Sequence, residues 1–301
     1  MSRKPSIMEK NAQILCFGEI LWDTLPSGRR PGGAPMNVAL HLSRFGIKSI
    51  VASSVGNDPD GEALLDFLKK TGLNTRLIQI NKKLPTSEAR VKLDQDNNAT
   101  FVIVEPVAWD NIVLSAELKR ELNSSMALVY GSLVARNKAT RETLLALLES
   151  DVLKIMDVNL RPPHDKEETV KTLLEKSDII KLNDDELVTI TDWYNITGDL
   201  AQRMHAFQKL FNFRTMIITR DKDGAWLLHE GSFYEHLGYK VATVDTVGSG
   251  DAFLAGFLAA YFEKKDMNRA LTEACAAGAF VATKSGATPE YTMDDIKALI
   301  T

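Results

Sequence analysis

The stretch Asp245-Thr-Val-Gly-Ser-Gly-Asp251 runs directly into the apolar segment AFLAGFLAAYF. The apolar periodicity of that segment predicts a helix of about a dozen residues. Gly248 and Gly250 permit backbone conformations that other residues avoid and allow a ligand to approach closely. Backbone N–H groups of residues 248–251 would then point outward at a helix N-terminus, where the helix dipole favours negative charge. The stretch therefore predicts an anion site, and a phosphoryl group in transfer is an anion that suits it.

Asp251 lies in the same turn as these glycines. A carboxylate beside an anion site is electrostatically unfavourable unless it has a role there, and accepting a proton from a hydroxyl group is one such role. The alternative is structural, with Asp251 capping the helix and the glycines forming a tight turn. Because short glycine-rich loops are weak signals, the stretch by itself leaves both interpretations open.

The composition limits the class of protein. The 301 residues are 45% hydrophobic and 25% charged, which is typical of a globular protein with one large domain or two smaller ones. The net charge of -4, without a cluster of Lys or Arg, gives no indication of a nucleic-acid partner. Cys16 and Cys275 lie far apart in apolar surroundings, and the five histidines are scattered, so neither a disulfide framework nor a zinc site is indicated.

The N-terminal segment MSRKPSIMEKNAQ carries positive charge but is not followed by the apolar region of a secretory signal. No apolar run approaches the length of a membrane span. We therefore predict an N-terminal tail over residues 1–13, one domain over residues 14–301, no membrane partner and a cytoplasmic location.

From residue 126 onward, the apolar runs ALVYGS, LKIMDV and DIIKLN alternate with amphipathic segments. Buried strands separated by helices are typical of a parallel sheet that is covered on both faces. We predict an α/β fold with a central, mostly parallel sheet flanked by helices. Ligands bind at the carboxyl ends of such strands, so Ser132, residues 157–163 and Asn183 should lie along one functional edge.

Two segments near the N-terminal half have a different character. EARVKLD and TFVIV, joined by a polar turn, predict an antiparallel hairpin within residues 75–107 and hence a separate small sheet. Residues 21–31 contain turn residues and a Trp22 that we expect to be exposed, which makes them poor helix or core material. Trp109 and Asp110, just beyond the hairpin, could reach a ligand pocket, although a structural role for Trp109 is an equal alternative.

Two signatures together indicate a family. DTVGSGDAFLAGFL at 245–258 and GGAPMNVALHLSRFG at 32–46 resemble the C-terminal and N-terminal signatures of the ribokinase-like (PfkB) sugar kinases. Their order and wide separation make the resemblance specific, and it covers nearly the whole chain from Ile14 onward. It implies a ribokinase-like α/β fold with a small β-sheet lid over the sugar, built from about 21–31 and 75–107. It also implies a homodimer joined through these small sheets, whose open edges would otherwise be exposed.

The resemblance implies ATP-dependent transfer of the γ-phosphoryl group to a sugar hydroxyl, with Asp251 as the general base. Charge on the phosphoryl group would be stabilised by Gly248, Ser249, Gly250 and Arg161, although an arginine in such a loop ordinarily pairs with a surface carboxylate. The run DVNLRP looks like the D-x-N-x-R segment of fructokinase-like members, which favours a phosphate- or sugar-facing Arg161. The sugar-binding residues would be Asp23, Gly32, Gly33, Asn37, Ser132, Asn159 and Asp251.

Asn183 and Glu186 match the family motif N-x-x-E, which orders magnesium and its waters; the alternative is a capping asparagine with a solvated glutamate. The implied nucleotide-binding residues are Asn183, Glu186, Thr219, Arg220, Gly224, Gly248, Gly250 and Cys275. Two positions depart from the family, because Asp221 stands where a glycine is usual and Cys275 where an asparagine is common. A monovalent cation such as K⁺ would be held, mostly by backbone carbonyls, at Asp245, Val247, Val281, Lys284, Gly286 and Glu290.

The combined motifs GEILWDTLP, GGAPMNVA and DVNLRP look most like fructokinases, so we predict phosphorylation of D-fructose to fructose 6-phosphate with ATP and Mg²⁺. Within the kinases, the alternatives are 2-keto-3-deoxygluconate kinase and ribokinase. A different class of protein, a non-catalytic sugar-binding regulator, would be free to lose Gly248, Gly250 and Asp251. The chain contains no P-loop motif, which excludes that class of kinase.

Overall fold

The computed structural model describes residues 13–25, 28–93, 99–264 and 266–300. The predicted tail over residues 1–13 therefore lies outside the described residues, apart from Gln13, which begins the first strand.

The strands alternate with helices along most of the chain, as the apolar pattern predicts. They are β1 (Gln13–Phe17), β2 (Leu21–Leu25), β3 (Gly28–Gly32), β4 (Lys48–Gly56), β5 (Ile78–Asn81), β6 (Ser87–Leu93), β7 (Ala99–Ile103), β8 (Ser125–Gly131), β9 (Leu153–Asp157), β10 (Ile179–Asn183), β11 (Thr215–Thr219), β12 (Ala225–His229) and β13 (Ser232–His236).

The helices are α1 (Ala34–Arg44), α2 (Pro59–Lys70), α3 (Ala116–Asn123), α4 (Lys138–Leu148), α5 (Glu167–Leu174), α6 (Asp184–Trp193), α7 (Leu200–Phe211), α8 (Ser249–Phe262), α9 (Met267–Ala282) and α10 (Met293–Ile300).

Nine of the described strands form one sheet in the order β13-β12-β11-β10-β9-β8-β1-β4-β5. The pairs from β5 to β11 are parallel, and β12 and β13 add an antiparallel edge. Helices α1, α2, α8, α9 and α10 pack one apolar core against this sheet, while α3 to α7 pack a second core on the other face. This arrangement confirms the predicted α/β architecture, in which the strands are apolar because both of their faces are covered.

A second sheet contains four strands in the order β3-β2-β6-β7. It includes the predicted antiparallel hairpin of β6 and β7, whose polar turn at 94–98 lies outside the described residues. It takes less of residues 75–107 than the sequence suggests, because β5 pairs in parallel with β4 and belongs to the large sheet. Residues 21–31 contribute two of its strands, since β2 pairs with β3 on one side and β6 on the other.

The expectation of an exposed Trp22 is wrong. Trp22 lies on β2 and is partly buried against the core. Its indole Nε1 donates a hydrogen bond of 3.1 Å to the backbone oxygen of Asp60, and the guanidinium of Arg29 lies 5.0 Å from its ring centroid. A tryptophan in a turn-rich segment is thus held by contacts with a helix that is distant in sequence.

No helix within the described ranges is both long enough and apolar enough to cross a membrane.

Candidate active site

A cavity of about 1420 Å³ opens along the carboxyl ends of the parallel strands and beneath the small sheet. The body of the protein contributes the residues after β1, β9, β10 and β11 and the turn before α8, and the small sheet covers one end with Asp23 and residues of β6 and β7. The predicted residues that line this cavity are Asp23, Gly33, Asn37, Asn159, Arg161, Asn183, Glu186, Thr219, Arg220, Gly224, Asp245, Val247, Gly248, Ser249, Gly250, Asp251, Cys275 and Gly286.

The turn before α8 has a backbone shape that requires glycine. Gly248 is the N-cap of α8 with φ 79°, in the left-handed region. A Cβ atom at Gly248 would lie 2.5 Å from the Cα of Ala287 and still closer to its carbonyl oxygen, so even alanine would not fit. We expected the amides of all four residues from 248 to 251 to face a ligand. The N–H of Ser249 instead donates to Thr246 O at 3.1 Å, so this amide is not available to a ligand. The first-turn amides of Gly250 and Asp251 have no partner within the helix and can face an anion.

Asp251 is 9% exposed and lies at the mouth of this turn. Asn37 of α1 donates a hydrogen bond of 2.8 Å from Nδ2 to Asp251 Oδ2. Burial, together with the nearby Asp157, raises the pKa of Asp251 to about 7, and Asn37, Lys181 and Arg161 oppose that rise. Helix α8 has no side-chain cap hydrogen bond, so the carboxylate is not used as a cap. A buried carboxyl group whose pKa is near neutrality is suited to accept a proton.

A buried ion pair lies next to the turn, and sequence analysis missed it. Lys181 Nζ lies 2.9 Å from both carboxylate oxygens of Asp157, its register partner on the neighbouring strand β9. Burial alone would lower the pKa of Lys181, but Asp157, Glu186 and Asp251 hold that pKa above its usual value. The lysine inside the apolar run DIIKLN could have indicated this ion pair. A buried lysine requires an oppositely charged or hydrogen-bonding partner.

The cavity end below the small sheet is lined by carboxylates. Burial raises the pKa of Asp23 to about 6, against the lowering effect of Arg161. The Asp23 carboxylate lies against Gly32, which has no room for a Cβ atom, and Gly33 (φ 115°) lies against the backbone oxygen of Glu19. Glu19 was not predicted; it is 3% exposed, and burial raises its pKa. Its Oε2 atom has no hydrogen-bond partner among the described residues.

The opposite end of the cavity lies at the turn after β11. Asp221, which replaces the usual glycine, adopts φ 45°, a left-handed conformation that aspartate tolerates better than most residues. Gly224 has φ 83° and packs against residues 236–238, so the second glycine of the turn is required. The Arg220 guanidinium stacks 4.2 Å from the Trp226 ring centroid and donates to Glu235 Oε1 at 3.1 Å. Much of the Arg220 side chain is therefore already engaged in contacts around this turn.

Asn183 caps helix α6, as the structural alternative to the magnesium motif predicts. Asn183 and Glu186 form a capping box, in which Asn183 Oδ1 accepts from the Glu186 N–H at 2.8 Å and Glu186 Oε2 accepts from the Asn183 N–H at 2.9 Å. Glu186 is nevertheless buried rather than solvated, and its Oε1 accepts from the Leu160 N–H at 2.7 Å. Burial raises the pKa of Glu186. The same carboxylate thus fixes the helix start and lines the cavity.

Several predicted residues are not part of the cavity wall. Ser132 is buried, and its hydroxyl donates to the backbone oxygen of Asn159 at 3.4 Å. Trp109 is fully buried with the Arg136 guanidinium 4.0 Å from its ring centroid, and Asp110 binds the same guanidinium at 2.7 and 2.8 Å. The suggestion that Trp109 and Asp110 reach the pocket is therefore wrong, and the structural alternative for Trp109 is correct.

Arg161 is exposed at the cavity and donates from Nη1 to its neighbouring backbone oxygen, Leu160 O, at 2.9 Å. It has no carboxylate partner within 4 Å among the residues that the structure describes. The alternative, an ion pair between Arg161 and a surface carboxylate, is therefore not found among those residues. Its charge lowers the pKa of both Asp23 and Asp251, so Arg161 lies near the small sheet and near the turn before α8.

The residues proposed for a monovalent cation lie in the turn before α8, at the end of α9 and in the segment that follows α9. Asp245 accepts hydrogen bonds from the Val247 and Gly286 amides, each at 3.0 Å, and so joins two loops beside the cavity. Val281 is buried in the core, whereas Lys284 and Glu290 are exposed and do not line the cavity. Within the described ranges, no group of three or more His, Cys, Asp or Glu side chains could hold a metal ion.

Comparison with known proteins gives a consistent result. Residues 27–293 match the family described as pfkB family carbohydrate kinase. Fructokinase-2 of Solanum lycopersicum is 29% identical over 306 residues, which cover 92% of this chain and 92% of the relative. An uncharacterised sugar kinase of Pyrococcus horikoshii, solved in complex with ATP, has a TM-score of 0.80 at 27% identity and covers 96% of this chain and 100% of its own.

A fructokinase from Vibrio cholerae O395, solved with fructose, ADP and calcium ion bound, has a TM-score of 0.84 at 23% identity. The match covers 97% of this chain and 100% of that one. These comparisons confirm the ribokinase-like fold that the sequence signatures predict.

Proposed function

The chain belongs to the pfkB family of carbohydrate kinases, and we propose that its reaction is the transfer of the γ-phosphoryl group of ATP to the 6-hydroxyl of D-fructose. The observation that carries this proposal is the position of Asp251. It is a buried carboxyl group with a pKa of about 7 at a helix N-terminus, in a cavity lined by further carboxylates at one end and by the β11 turn at the other.

In the proposed reaction, a fructose hydroxyl loses its proton to Asp251 while its oxygen bonds to the γ-phosphorus, and the bond from that phosphorus to ADP breaks. The amides of Gly250 and Asp251 would stabilise negative charge on the transferring group. Asn37 holds Asp251 in place through its 2.8 Å hydrogen bond. Enclosure beneath the small sheet would exclude water, which otherwise competes as the acceptor.

Magnesium is the metal that we propose for this reaction, and it would shield the phosphate charges of ATP. The residues present fit an ion that is bound mainly by phosphates and water, because Mg²⁺ keeps several waters and needs few protein oxygens. Glu186 is the residue that would contact those waters, since it is buried at the cavity wall. A K⁺ ion near Asp245 and Gly286 would stabilise the turn before α8 from the side opposite the phosphates.

Fructose is favoured as the sugar by the relatives named fructokinases and by the bound fructose in the Vibrio cholerae structure. In this chain, the polar side chains of Glu19, Asp23 and Asn37 would accept from or donate to the sugar hydroxyls. One observation favours a second candidate, 2-keto-3-deoxygluconate. Arg30 and Arg161 both line the cavity, and a sugar acid would bring a carboxylate to them.

The test is an assay of ADP release with MgATP over fructose, ribose and 2-keto-3-deoxygluconate. We expect kcat/KM for fructose to exceed the others by orders of magnitude, because a site built for particular hydroxyls leaves buried polar groups unpaired with the wrong sugar. A faster reaction with another sugar would overturn the substrate and leave the kinase assignment intact. ADP release with none of a wider panel of sugars would favour a non-catalytic sugar-binding regulator.

We also propose that the chain is a homodimer joined through the small sheet. Both β3 and β7 are edge strands of that sheet among the described residues. Open strand edges favour pairing with a second copy. Light scattering at assay concentration should give twice the chain mass, and a monomer would contradict the proposal.

A further inference from the structure

Among the residues that the structure describes, the Asp157–Lys181 pair is the most buried ion pair that faces the cavity. Lys181 is 6% exposed and Asp157 is 5% exposed, and both line the cavity wall. An ammonium group has three N–H donors, of which two go to the oxygens of Asp157. The structure gives Lys181 Nζ no third hydrogen bond within the described ranges, so one donor remains free.

The free donor lies directly beside the phosphoryl-binding turn. A Cβ atom built on Gly250 would be 3.3 Å from Lys181 Nζ and 3.8 Å from its Cε. The backbone amides of Gly250 and Asp251, which can face an anion, are therefore close neighbours of this ammonium group. Glycine at position 250 keeps the space between the turn and Lys181 free of a side chain.

Stability alone does not account for the pair. Burying two charges costs hydration free energy that their attraction often fails to recover, and replacing such a pair with apolar residues is frequently neutral or stabilising. The flanking residues of β10, Ile180 and Leu182, are fully buried and apolar. A lysine in this strand, opposite an aspartate and facing the cavity, is therefore explained better by a role in the reaction than by a contribution to stability.

We propose that Lys181 is a catalytic residue, which Asp157 holds in place and whose third N–H donates to an oxygen of the phosphoryl group as it moves from ATP to the sugar. This inference rests on the proposed function. Lys181 supplies a full positive charge where the Gly250 and Asp251 amides supply only partial charges, and its own burial strengthens that charge's interactions. Asp157 acts as a positioning residue because it uses the other two donors.

The experiment compares three variants of the full chain. Lys181→Met removes the charge but leaves Asp157 buried and unpaired. The double variant Asp157→Asn/Lys181→Met removes both charges and so restores a neutral interior. Lys154→Met is the matched control, because Lys154 lies on the neighbouring strand β9 and does not line the cavity. The measurements are Tm, kcat, KM for the sugar, and calorimetric affinity for ADP with and without aluminium fluoride, an analogue of the transferring phosphoryl group.

We expect Lys181→Met to lower Tm and the double variant to recover much of that loss. The double variant should nevertheless keep a kcat about 10²-fold below that of the wild type with little change in sugar KM, the usual loss when one donor to transition-state charge is removed. The control should resemble the wild type. A double variant less than about tenfold below the wild-type kcat would show that Lys181 serves only to neutralise Asp157, and would overturn the proposal.

Calorimetry separates this inference from the proposed function. If the wild type phosphorylates no sugar, the proposed function fails, but the binding measurement still decides the role of Lys181. The wild type should bind ADP more tightly when aluminium fluoride is present, and the double variant should lose most of that gain. An equal gain in both proteins, or no gain in the wild type, would overturn the assignment of Lys181.

Discussion

The part of the cavity around Asp251, where we propose that the phosphoryl group is transferred, and the small sheet, which covers the proposed sugar end, are built in different ways. Around Asp251, the bonds from Asn37 to Asp251 and from Lys181 to Asp157 are buried, and the half-buried Gly248 packs against the buried Ala287. In the small sheet, the comparable contacts are exposed, such as the Arg29–Asp60 ion pair and the bond from Arg90 to Glu88.

This difference suggests that the two regions have different roles, one in phosphoryl transfer and the other in the choice of sugar. Buried contacts between several elements fix atoms closely, which phosphoryl transfer requires, because the protein acts mainly by positioning groups and stabilising charge. The small sheet contributes Asp23, Ala89, Val102 and Ile103 to the cavity and has open edges, so changes there should alter which sugar fits more than how the phosphoryl group moves. Substitutions at the two ends should therefore differ in both size and kind of effect.

The largest effect is expected for Asp251→Asn. Loss of the general base should lower kcat by about 10²–10⁴-fold. Tm at neutral pH should not fall, because the pKa of Asp251 is raised from 3.8 to about 7 in the folded chain. The folded state then binds this proton more tightly than the unfolded state does, so the contribution of Asp251 to stability is lost as pH rises through about 7. Asp66→Asn, an exposed carboxylate of α2, is the control for kcat, and a kcat near the wild-type value in Asp251→Asn would contradict the assignment.

A second contrast uses two glycines with positive φ, one at each end. Gly248→Ala should lower both Tm and kcat, the latter by more than about tenfold, because backbone strain of about 1–3 kcal/mol is added to a collision with Ala287. Gly28 has φ 122°, but a Cβ atom there would contact nothing within 4 Å. Gly28→Ala should therefore cost only backbone strain and leave kcat close to wild type. Equal losses of kcat in Gly248→Ala and Gly28→Ala would contradict the proposed difference between the turn before α8 and the small sheet.

The sequence predicts most of the fold because its information is local. Apolar runs such as DIIKLN mark buried strands, and the glycine turn before an apolar helix marks α8. The pairing of Lys181 with Asp157 could not be predicted in this way, since it depends on the register of two strands that are separate in sequence. The placement of Ile78–Asn81 in the large sheet likewise depends on a nonlocal partner, β4, that no local pattern identifies.

In the site, too, contacts between residues that are distant in sequence could not be predicted from local patterns. Asp251 and Asn37 were predicted from their signatures, and the structure brings them within hydrogen-bond distance. Glu19 was missed because it follows β1 in a segment whose only local feature is a turn, and its burial depends on residues farther along the chain, such as Gly33. Asp110 looks similar in sequence but is neutralised by Arg136, a partner that only the tertiary structure supplies.

An intermediate effect is expected for Arg161→Ala. Arg161 lines the cavity without a carboxylate partner within 4 Å among the described residues, so its charge is available to the substrates. If it acts on the moving phosphoryl group, kcat should fall by about tenfold or more while KM for the sugar changes less. Arg90→Ala in the small sheet is the matched control, because Arg90 pairs with Glu88. A loss carried by KM alone would assign Arg161 to ground-state binding of the sugar.

The smallest effect is expected for Arg29→Ala in the small sheet. This change removes an exposed ion pair with Asp60 and a contact with the Trp22 ring. Exposed pairs contribute about 0–1 kcal/mol to stability, so Tm should fall by a few degrees at most and kcat should remain at the wild-type value. A loss of kcat comparable with that of Gly248→Ala would mean that the small sheet also controls phosphoryl transfer.

The central claim, that buried Asp251 takes the proton, is tested most directly by the pH dependence of kcat/KM for the sugar. Because Asp251 must be ionised to act as a base, kcat/KM should rise tenfold per pH unit below a midpoint near its pKa of about 7 and then level off. The residual activity of Asp251→Asn should lack this rise. A kcat/KM that stays constant from about pH 5.5 to about pH 8.5, or a rise that persists unchanged in Asp251→Asn, would contradict the account.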